Sequence, residues 1–222
     1  MPKGEIMNNI LGIIISFIYI AILMIAAKYF EKFDKEASRK FIHILLANWW
    51  LIAMAFFDNI ICALIPPIAF TIINFISYKW NVIKVMERNE ESQDGLGTVY
   101  FAFSLIPLVV LSYGIANNAL IGLVGFFIMT YGDGFAAIVG KTIKSKEYKV
   151  FGCTKTIAGS LAIFIISLII TISVFIYSNT QYWVIKSLLI SIVATILEAI
   201  SAKGTDNITV PIITSLITYF VI

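Results

Sequence analysis

Charged side chains are scarce in this sequence. Lys, Arg, Asp and Glu make up 13% of the 222 residues, whereas 60% of the residues are apolar. A soluble globular domain is about one quarter charged and about one half apolar, so these values do not fit one. The mean hydropathy is +0.95 and the net charge is only +3. The composition therefore indicates a polytopic membrane protein, leaves no room for a separate soluble domain and gives no sign of nucleic-acid binding.

Cysteine and histidine are almost absent as well. Cys62 lies in an apolar run and Cys153 lies in a basic loop. Two cysteines in such different surroundings predict no disulfide, no zinc site and no haem site. His43 is the only histidine, so any proton transfer by an imidazole must use this residue.

Long uncharged runs dominate what remains. Eight runs come close to the length of about 20 residues that a helix needs to cross a bilayer. We predict spans at residues 8–27, 41–57, 59–78, 96–113, 118–139, 157–177, 182–202 and 207–222. No small-residue cleavage site follows the first run, so we expect a retained helix and not a signal peptide. The predicted fold is all-α, with residues 1–222 forming one membrane-embedded domain.

Basic residues fall almost entirely on one side of this predicted membrane protein. Fourteen of the sixteen Lys and Arg residues lie in the first, third, fifth and seventh connections, and only Lys3 and Lys186 lie on the other side. Cytoplasmic loops carry such an excess of basic residues. We therefore expect these four connections in the cytoplasm and both termini outside, in a prokaryotic cytoplasmic membrane.

The segment from Tyr131 to Lys141 places a carboxylate, Asp133, at the end of an apolar run. An ionisable group at that depth costs about 3 kcal/mol on insertion scales, so its presence indicates a function. Small neighbours such as Gly132 would let another helix or a ligand approach closely. The alternative is an acid at a helix end that simply reaches water. After this segment, Gly140-Lys141-Thr142 fails the spacing of a Walker A loop, although Lys141 remains a candidate phosphate ligand.

A second cluster opens the sixth span, where Lys155-Thr156-Ile157-Ala158-Gly159-Ser160 combines a lysine, hydroxyls and small residues. Free N–H groups at a helix N-terminus attract anions, and Lys155 adds a positive charge. We expect phosphate binding there. The alternative is ordinary helix capping by Thr154 or Thr156.

Further polar groups approach the same predicted face. Arg39-Lys40-x-x-His43 opens the second span, where both basic residues lie near His43 on a helix; the alternative is that they snorkel at the helix start. Asn74 in the third span predicts a helix-to-helix hydrogen bond more readily than a ligand contact. We interpret the acidic stretch of the third connection as a solvated loop, and the alternative is a metal site. Its acids are Glu87, Glu90, Glu91 and Asp94.

Acids near the cytoplasmic ends of the last two spans complete the set. Glu198 lies near the end of the seventh span, and Asp206-Asn207 opens the eighth. Mg²⁺ prefers one or two carboxylates together with substrate phosphates. Carboxylates, lysines and one histidine facing a single compartment therefore predict phosphoryl or nucleotidyl transfer, in which positioning and charge stabilisation carry the catalysis.

Taken together, the motifs resemble those of the CTP-dependent lipid-alcohol kinases. The similar elements are Arg39-Lys40-x-x-His43, Gly132-Asp133-x-x-Ala136-x-x-x-Gly140, Lys155-Thr156-x-x-Gly159-Ser160, and Glu198 with Asp206-Asn207 and Pro211, so the resemblance spans about residues 39–211. This family includes dolichol kinases, phytol kinases and the yeast-type diacylglycerol kinase, and it is distantly related to the phosphatidate cytidylyltransferases.

The resemblance implies transfer of the γ-phosphoryl group of CTP to a membrane lipid alcohol, with a divalent metal such as Mg²⁺. Under it, we predict catalytic roles for Asp133, His43 and Lys155. The predicted nucleotide and phosphate ligands are Gly132, Lys141, Lys155, Thr156, Gly159, Ser160 and Asn207. The predicted metal ligands are Asp133, Glu198 and Asp206. The predicted lipid-acceptor residues are Arg39, Lys40, His43 and Asn74.

Three alternatives to a kinase remain open on the sequence. A cytidylyltransferase would use the same charges to form a CDP-lipid. An ion- or proton-coupled transporter would place its acids near the middle of the membrane, and a scaffold would have no catalysis. The expected partners are a membrane lipid alcohol, a nucleoside triphosphate and the lipid bilayer. Formation of a homo-oligomer is left open.

Overall fold

The computed structural model describes residues 3–30, 32, 35–80, 96–151, 153–202 and 204–222. Over these residues the regular elements are helices, apart from one two-stranded hairpin, so the all-α membrane fold expected from the sequence is confirmed. The helices and strands are α1 (Lys3–Phe30), α2 (Lys35–Leu46), α3 (Trp49–Phe56), α4 (Ile60–Trp80), α5 (Gly97–Val109), α6 (Ala119–Phe127), α7 (Asp133–Thr142), β1 (Glu147–Val150), β2 (Cys153–Thr156), α8 (Ile157–Tyr177), α9 (Trp183–Ile200) and α10 (Asp206–Val221).

Six helical segments of the described chain are long and apolar enough to cross a membrane. They are Gly4–Phe30, Ile60–Trp80, Gly97–Ile115, Ala119–Thr142, Ile157–Tyr177 and Trp183–Ile200. The other two predicted spans correspond to shorter apolar helices, Lys40–Phe56 and Asp206–Val221, which fall below the usual length of about 20 residues. The count of eight spans and the outside position of both termini stay predictions.

The second predicted span is broken near its middle. α2 ends at Leu46, two turn residues follow, and α3 starts at Trp49. The carbonyl of Leu45 accepts a hydrogen bond from the Tyr19 hydroxyl at 2.6 Å and another from the Asn48 side chain at 3.2 Å. The backbone N–H of Asn48 also donates to this carbonyl, at 3.0 Å. The carbonyl at the break is therefore bonded both by the turn itself and by side chains, which allows a break inside an apolar segment.

The chain divides into two compact units, Met1–Ala119 and Leu120–Ile222. In the first unit, α1 packs against α2, α3 and α4, and α4 packs against α5. The fully buried Trp49 donates its indole N–H to the buried hydroxyl of Ser16 at 3.0 Å. Trp50, also buried, donates to the carbonyl of Ala119 at 2.9 Å. Both indole groups are therefore satisfied inside the apolar core.

The second unit is built around α8, which packs against α7 and α9, while α9 also packs against α10. Gly125 on α6 lies so close to the carbonyl of Pro211 and the hydroxyl of Ser215 that a methyl group there would overlap them. The Ser215 hydroxyl crosses this contact and donates to the carbonyl of Ile121 at 3.1 Å. Small residues thus allow α6 and α10 to approach closely, as is common between membrane helices.

A π-helical segment interrupts the long helix of the second unit. α6 continues into a π-helix over Ile128–Gly132, and α7 then begins at Asp133. The hydroxyl of Thr130 turns back to the carbonyl of Phe126 at 2.7 Å. Such single-turn π segments occur frequently at functional sites. The predicted catalytic carboxylate therefore directly follows a local change in helical winding.

The basic loop between α7 and α8 forms a hairpin that the sequence analysis did not predict. β1 and β2 pair antiparallel, with Tyr148 opposite Lys155 and Val150 opposite Cys153. Phe151 at the turn adopts a left-handed conformation with φ of 47° and is 78% exposed. The alternation of exposed and half-buried side chains along β1 is the usual pattern of a half-buried strand.

Candidate active site

The polar residues of the second unit meet where the hairpin reaches the end of α9. Lys155 on β2 forms an ion pair with Glu198 on the last turns of α9. The Lys155 side chain is 19% exposed and the Glu198 side chain only 6%. An ion pair removed from water to this degree requires close partners and good geometry. The strand and the helix end are therefore joined by charge at this point.

Two further carboxylates act on the same lysine. Burial is the largest single influence and would lower the pKa of Lys155, but the Glu198 carboxylate, followed by Asp206 and then Asp133, raises it, and together these acids outweigh burial. As a result, the pKa of Lys155 lies above its ordinary value. The ammonium group is thus charged at any physiological pH. The structure therefore brings carboxylates from α7, α9 and α10 within electrostatic reach of one lysine on β2.

Glu198 offers one oxygen beyond this ion pair. Its Oε1 accepts from Lys155, whereas no described residue donates to the buried Oε2. A buried acceptor without a donor costs about 1–3 kcal/mol. A divalent cation or a hydrogen-bond donor at this oxygen would remove that cost. Glu198, predicted as a metal ligand, is thus the partner of Lys155 with one oxygen still available.

The carboxylates near Lys155 suit a metal ion that takes part of its coordination from a bound substrate. Among the described residues, no three His, Cys, Asp or Glu side chains lie close enough to hold a metal ion by themselves. Mg²⁺ does not need such a cage, because it usually takes one or two carboxylates and completes its shell with phosphate oxygens and water. Glu198 Oε2, alone or with one further carboxylate, therefore fits Mg²⁺ bound together with a nucleotide, and the set of Asp133, Glu198 and Asp206 as ligands of one ion stays a prediction.

The amide groups at the start of α8 are already bonded. Ile157 N–H donates to the carbonyl of Lys146 at 3.1 Å, and Ala158 N–H donates to the hydroxyl of Ser145 at 3.0 Å. Gly159 N–H donates to the side chain of the N-cap residue, Thr156, at 3.1 Å. The expectation of free amides at this terminus is wrong, because the hairpin folds back and caps the helix.

Tyr148 lies beside the candidate site, and the sequence analysis did not predict it there. It lies directly opposite Lys155 in the hairpin, and its hydroxyl is 2.5 Å from the hydroxyl of Ser160 on the first turn of α8. The two hydroxyls are hydrogen-bonded, and either can be the donor. The alternating charged and apolar residues of 147–150 were the available signal, since alternation of this kind predicts a strand.

The glycines of the predicted nucleotide motifs make a close contact between α7 and α8. A methyl group at Gly159 would lie 3.0 Å from the carbonyl oxygen of Ala136, and one at Gly140 would lie 2.7 Å from the Thr156 hydroxyl. At Gly132 it would lie 2.9 Å from the Ile163 side chain. These glycines therefore allow a neighbouring segment of the protein to pack closely, which is one of the two roles expected of them. Their role in nucleotide binding stays a prediction.

Two further predicted phosphate ligands, Lys141 and Asn207, lie on α7 and α10. Lys141 is exposed in the last turn of α7, and Asn207 is half-buried as the second residue of α10. Pro211, four residues beyond Asn207, has no N–H to donate to the Asn207 carbonyl as an ordinary helix residue would. This end of α10 is therefore less regular than a plain helix terminus.

Comparison with known proteins gives a consistent set of relatives. The chain is 29% identical over 192 residues to a phytol kinase from Synechocystis sp., a match that covers 83% of this chain and 78% of the relative. It is 27% identical to phytol kinase 1 of Arabidopsis thaliana and 26% identical to a probable phytol kinase 1 of Oryza sativa. These plant matches cover 84% of this chain but only 66% and 64% of the relatives, which are chloroplastic. No family model and no solved structure matches the chain.

The predicted lipid-acceptor residues belong to the first unit. The His43 ring on α2 packs against the Phe101 ring with centroids 4.8 Å apart. Lys40 is half-buried on the same helix. Asn74 donates to the carbonyl of Phe70 in its own helix at 2.8 Å, so this bond does not join two helices as expected. The Asn74 Oδ1 atom is buried, and no described residue donates to it.

Some predicted residues lie outside the described part of the chain. Arg39 is within α2, but its side chain is not described, and residues 81–95 are not described at all. This last range contains Glu87, Glu90, Glu91 and Asp94. The role of Arg39 in binding the acceptor and the reading of the acidic stretch as a solvated loop both stay predictions.

Proposed function

We propose that this protein is a membrane-embedded kinase that phosphorylates a lipid alcohol of the phytol class. The proposal extends the activity named for the relatives to this chain, which matches the cyanobacterial phytol kinase over most of both sequences. The structural observation that carries it is the convergence of Glu198, Asp206 and Asp133 on Lys155. Carboxylates for a divalent cation and a lysine for phosphate are the groups that phosphoryl transfer requires.

In the proposed reaction, the lipid hydroxyl oxygen attacks the γ-phosphorus of a nucleoside triphosphate. The bond between the γ-phosphorus and the bridging oxygen breaks, and the nucleoside diphosphate leaves with that oxygen. Asp133 accepts the hydroxyl proton or helps to hold the metal, while Lys155 and Lys141 offset phosphate charge. When bound, Mg²⁺ would offset further charge on the phosphates. CTP as the phosphoryl donor follows from the motif resemblance.

The location of two of these acids at helix ends suits both substrates. A lipid alcohol keeps its hydroxyl at the headgroup level, and a nucleotide reaches that level from water. Glu198 lies near the end of α9 and Asp206 starts α10, whereas Asp133 follows the π turn inside the long helical segment Ala119–Thr142. Acids at the ends of helices fit a transferase at the membrane surface better than a transporter, whose site lies near the bilayer midplane.

The test is an assay of membranes that contain the overproduced protein. Each γ-³²P-labelled nucleoside triphosphate is combined with Mg²⁺ and with phytol, undecaprenol, dolichol or diacylglycerol, and the lipids are separated by chromatography. We expect a labelled lipid monophosphate from CTP and phytol, and none from membranes without the protein. Absence of labelled lipid in every combination would overturn the proposal. A lipid labelled from α-³²P CTP, with release of pyrophosphate, would instead indicate a cytidylyltransferase.

A further inference from the structure

The hairpin has an inward face that carries more than Lys155. Tyr148, Val150 and Lys155 are half-buried, whereas Glu147, Lys149 and Thr154 are exposed. The strand register pairs Tyr148 directly with Lys155. Residues paired across an antiparallel ladder have Cβ atoms about 5 Å apart on the same face. The phenol therefore lies beside the lysine that pairs with Glu198.

The start of α8 can bind phosphate only through side chains in this arrangement. The amides of Ile157, Ala158 and Gly159 are taken by the hairpin and by the N-cap side chain. The side-chain donors near this helix end include the Lys155 ammonium and the pair of hydroxyls on Tyr148 and Ser160. Phosphate binding therefore depends more on the direction of these hydroxyls than it would at a helix with free amides.

When two hydroxyls are hydrogen-bonded to each other, one O–H group stays available to donate to a third group. The pair has two O–H groups, and only one of them is used in the bond between Tyr148 and Ser160. The other can donate to a third group, and the bond within the pair polarises it. A serine on a helix that lacks such a partner commonly turns its hydroxyl to the carbonyl four residues earlier. For Ser160 that carbonyl belongs to Thr156, and the donor would be lost to the site.

We infer that Tyr148 is a positioning residue that keeps the Ser160 hydroxyl directed toward the phosphates of the nucleotide. This inference rests on the proposed function and adds to it a residue outside the recognised motifs. The phenol acts through Ser160 and fixes the hairpin face that carries Lys155. Removal of the phenolic hydroxyl alone should therefore weaken nucleotide binding and leave phosphoryl transfer from the bound nucleotide nearly unchanged.

The test compares Tyr148→Phe with Ser160→Ala and with the double variant. We expect each single variant to raise the KM for CTP about tenfold, the effect of one hydrogen bond to a charged group, with kcat and the KM for the lipid within twofold of wild type. The double variant should be no worse than either single variant, because both remove the same interaction. Tyr177→Phe, at the exposed far end of α8, is the matched control and should behave as wild type.

Binding without turnover provides a second measurement. Inorganic tripolyphosphate with Mg²⁺ should raise the thermal unfolding temperature of the wild-type protein and raise it less in Tyr148→Phe. A Tyr148→Phe variant with the wild-type KM and the wild-type response to tripolyphosphate would overturn the inference, as would losses that simply add in the double variant. Failure of the proposed function is recognised separately, because wild-type protein would then form no lipid phosphate.

Discussion

Lys155 and Glu198 are forty-three residues apart in the sequence and form an ion pair that joins the hairpin to the end of α9. The pair is largely removed from water, with side-chain exposures of 19% and 6%. Removal of one partner leaves a buried charge, whereas replacement of both by apolar residues can be neutral. Single and double replacement of this pair should therefore have different effects on the stability of the protein.

We expect Lys155→Met to destabilise the protein by about 3 kcal/mol, because the Glu198 carboxylate then stays buried without its cation. The double variant Lys155→Met/Glu198→Leu should recover most of this loss. Thermal unfolding in detergent measures both effects, and Lys149→Met, an exposed lysine on the same hairpin, is the control. Equal stability of Lys155→Met and Lys149→Met would show that the pair contributes nothing.

The pH dependence of the same pair follows from the raised pKa of Lys155. A raised pKa in the folded protein means that the stabilisation is complete below the ordinary lysine value of 10.5 and is lost as the pH rises through the folded value. The difference in stability between wild type and Lys155→Met should stay constant from about pH 7 to pH 10 and shrink only above that. A difference that disappears near neutral pH would contradict this assignment.

Asp133→Asn should reduce kcat by at least about a hundredfold, since it removes a charge from the reacting centre without changing the size of the side chain. The unfolding temperature should remain that of the wild type, because the variant is isosteric. Glu147→Gln, an exposed acid on the hairpin, is the charge-matched control. Full activity in Asp133→Asn would remove this residue from the proposed mechanism.

Gly159→Ala should destabilise the protein and lower its activity, although alanine usually favours a helix by about 1 kcal/mol over glycine. The added methyl group would lie 3.0 Å from the carbonyl oxygen of Ala136, a backbone atom that cannot rotate away. Gly4→Ala, on a helix with nothing within 4 Å of the new methyl group, should be neutral or slightly stabilising. Comparable unfolding temperatures for the two variants would mean that α7 and α8 can separate without cost.

The predicted cytoplasmic location of the hairpin can be tested with its own cysteine. Cys153 lies on β2 and is partly exposed. In a Cys62→Ser background, a membrane-impermeant maleimide should label Cys153 in inverted bacterial membrane vesicles and leave it unlabelled in intact spheroplasts. Tyr182→Cys in a protein that lacks both native cysteines should show the reverse pattern, since Tyr182 lies in the connection on the opposite predicted side. Labelling of Cys153 from outside would reverse the topology.

The sequence was sufficient to predict the long helices and the grouping of the charged residues. Uncharged runs located the long helices, because apolar length is the main requirement for crossing a bilayer. The distribution of lysines and arginines predicted that Asp133, Lys155, Glu198 and Asp206 would share one face. In the structure these four groups interact electrostatically.

What the sequence could not provide depends on packing between distant segments. Free amides at the start of α8 were a reasonable expectation from the helix alone, but Lys146 and Ser145 fold back and occupy two of them. The break between α2 and α3 has no proline or glycine to announce it, and it relies on Tyr19 from another helix. The role proposed for Tyr148 depends on the strand register, which short-range patterns do not determine.

The π-helical turn over Ile128–Gly132 has a consequence for how this protein can vary in length. A π turn holds about one residue more than an α turn, so the loss of one amino acid from this segment would let it wind as an ordinary α-helix and leave Asp133 facing in nearly the same direction. Loss of one residue from α6, before the π turn, has no such compensation, because successive α-helical residues are about 100° apart around the axis. Asp133 would then turn away from Lys155 by roughly that angle, so a deletion in α6 should be far more damaging than one inside the π turn.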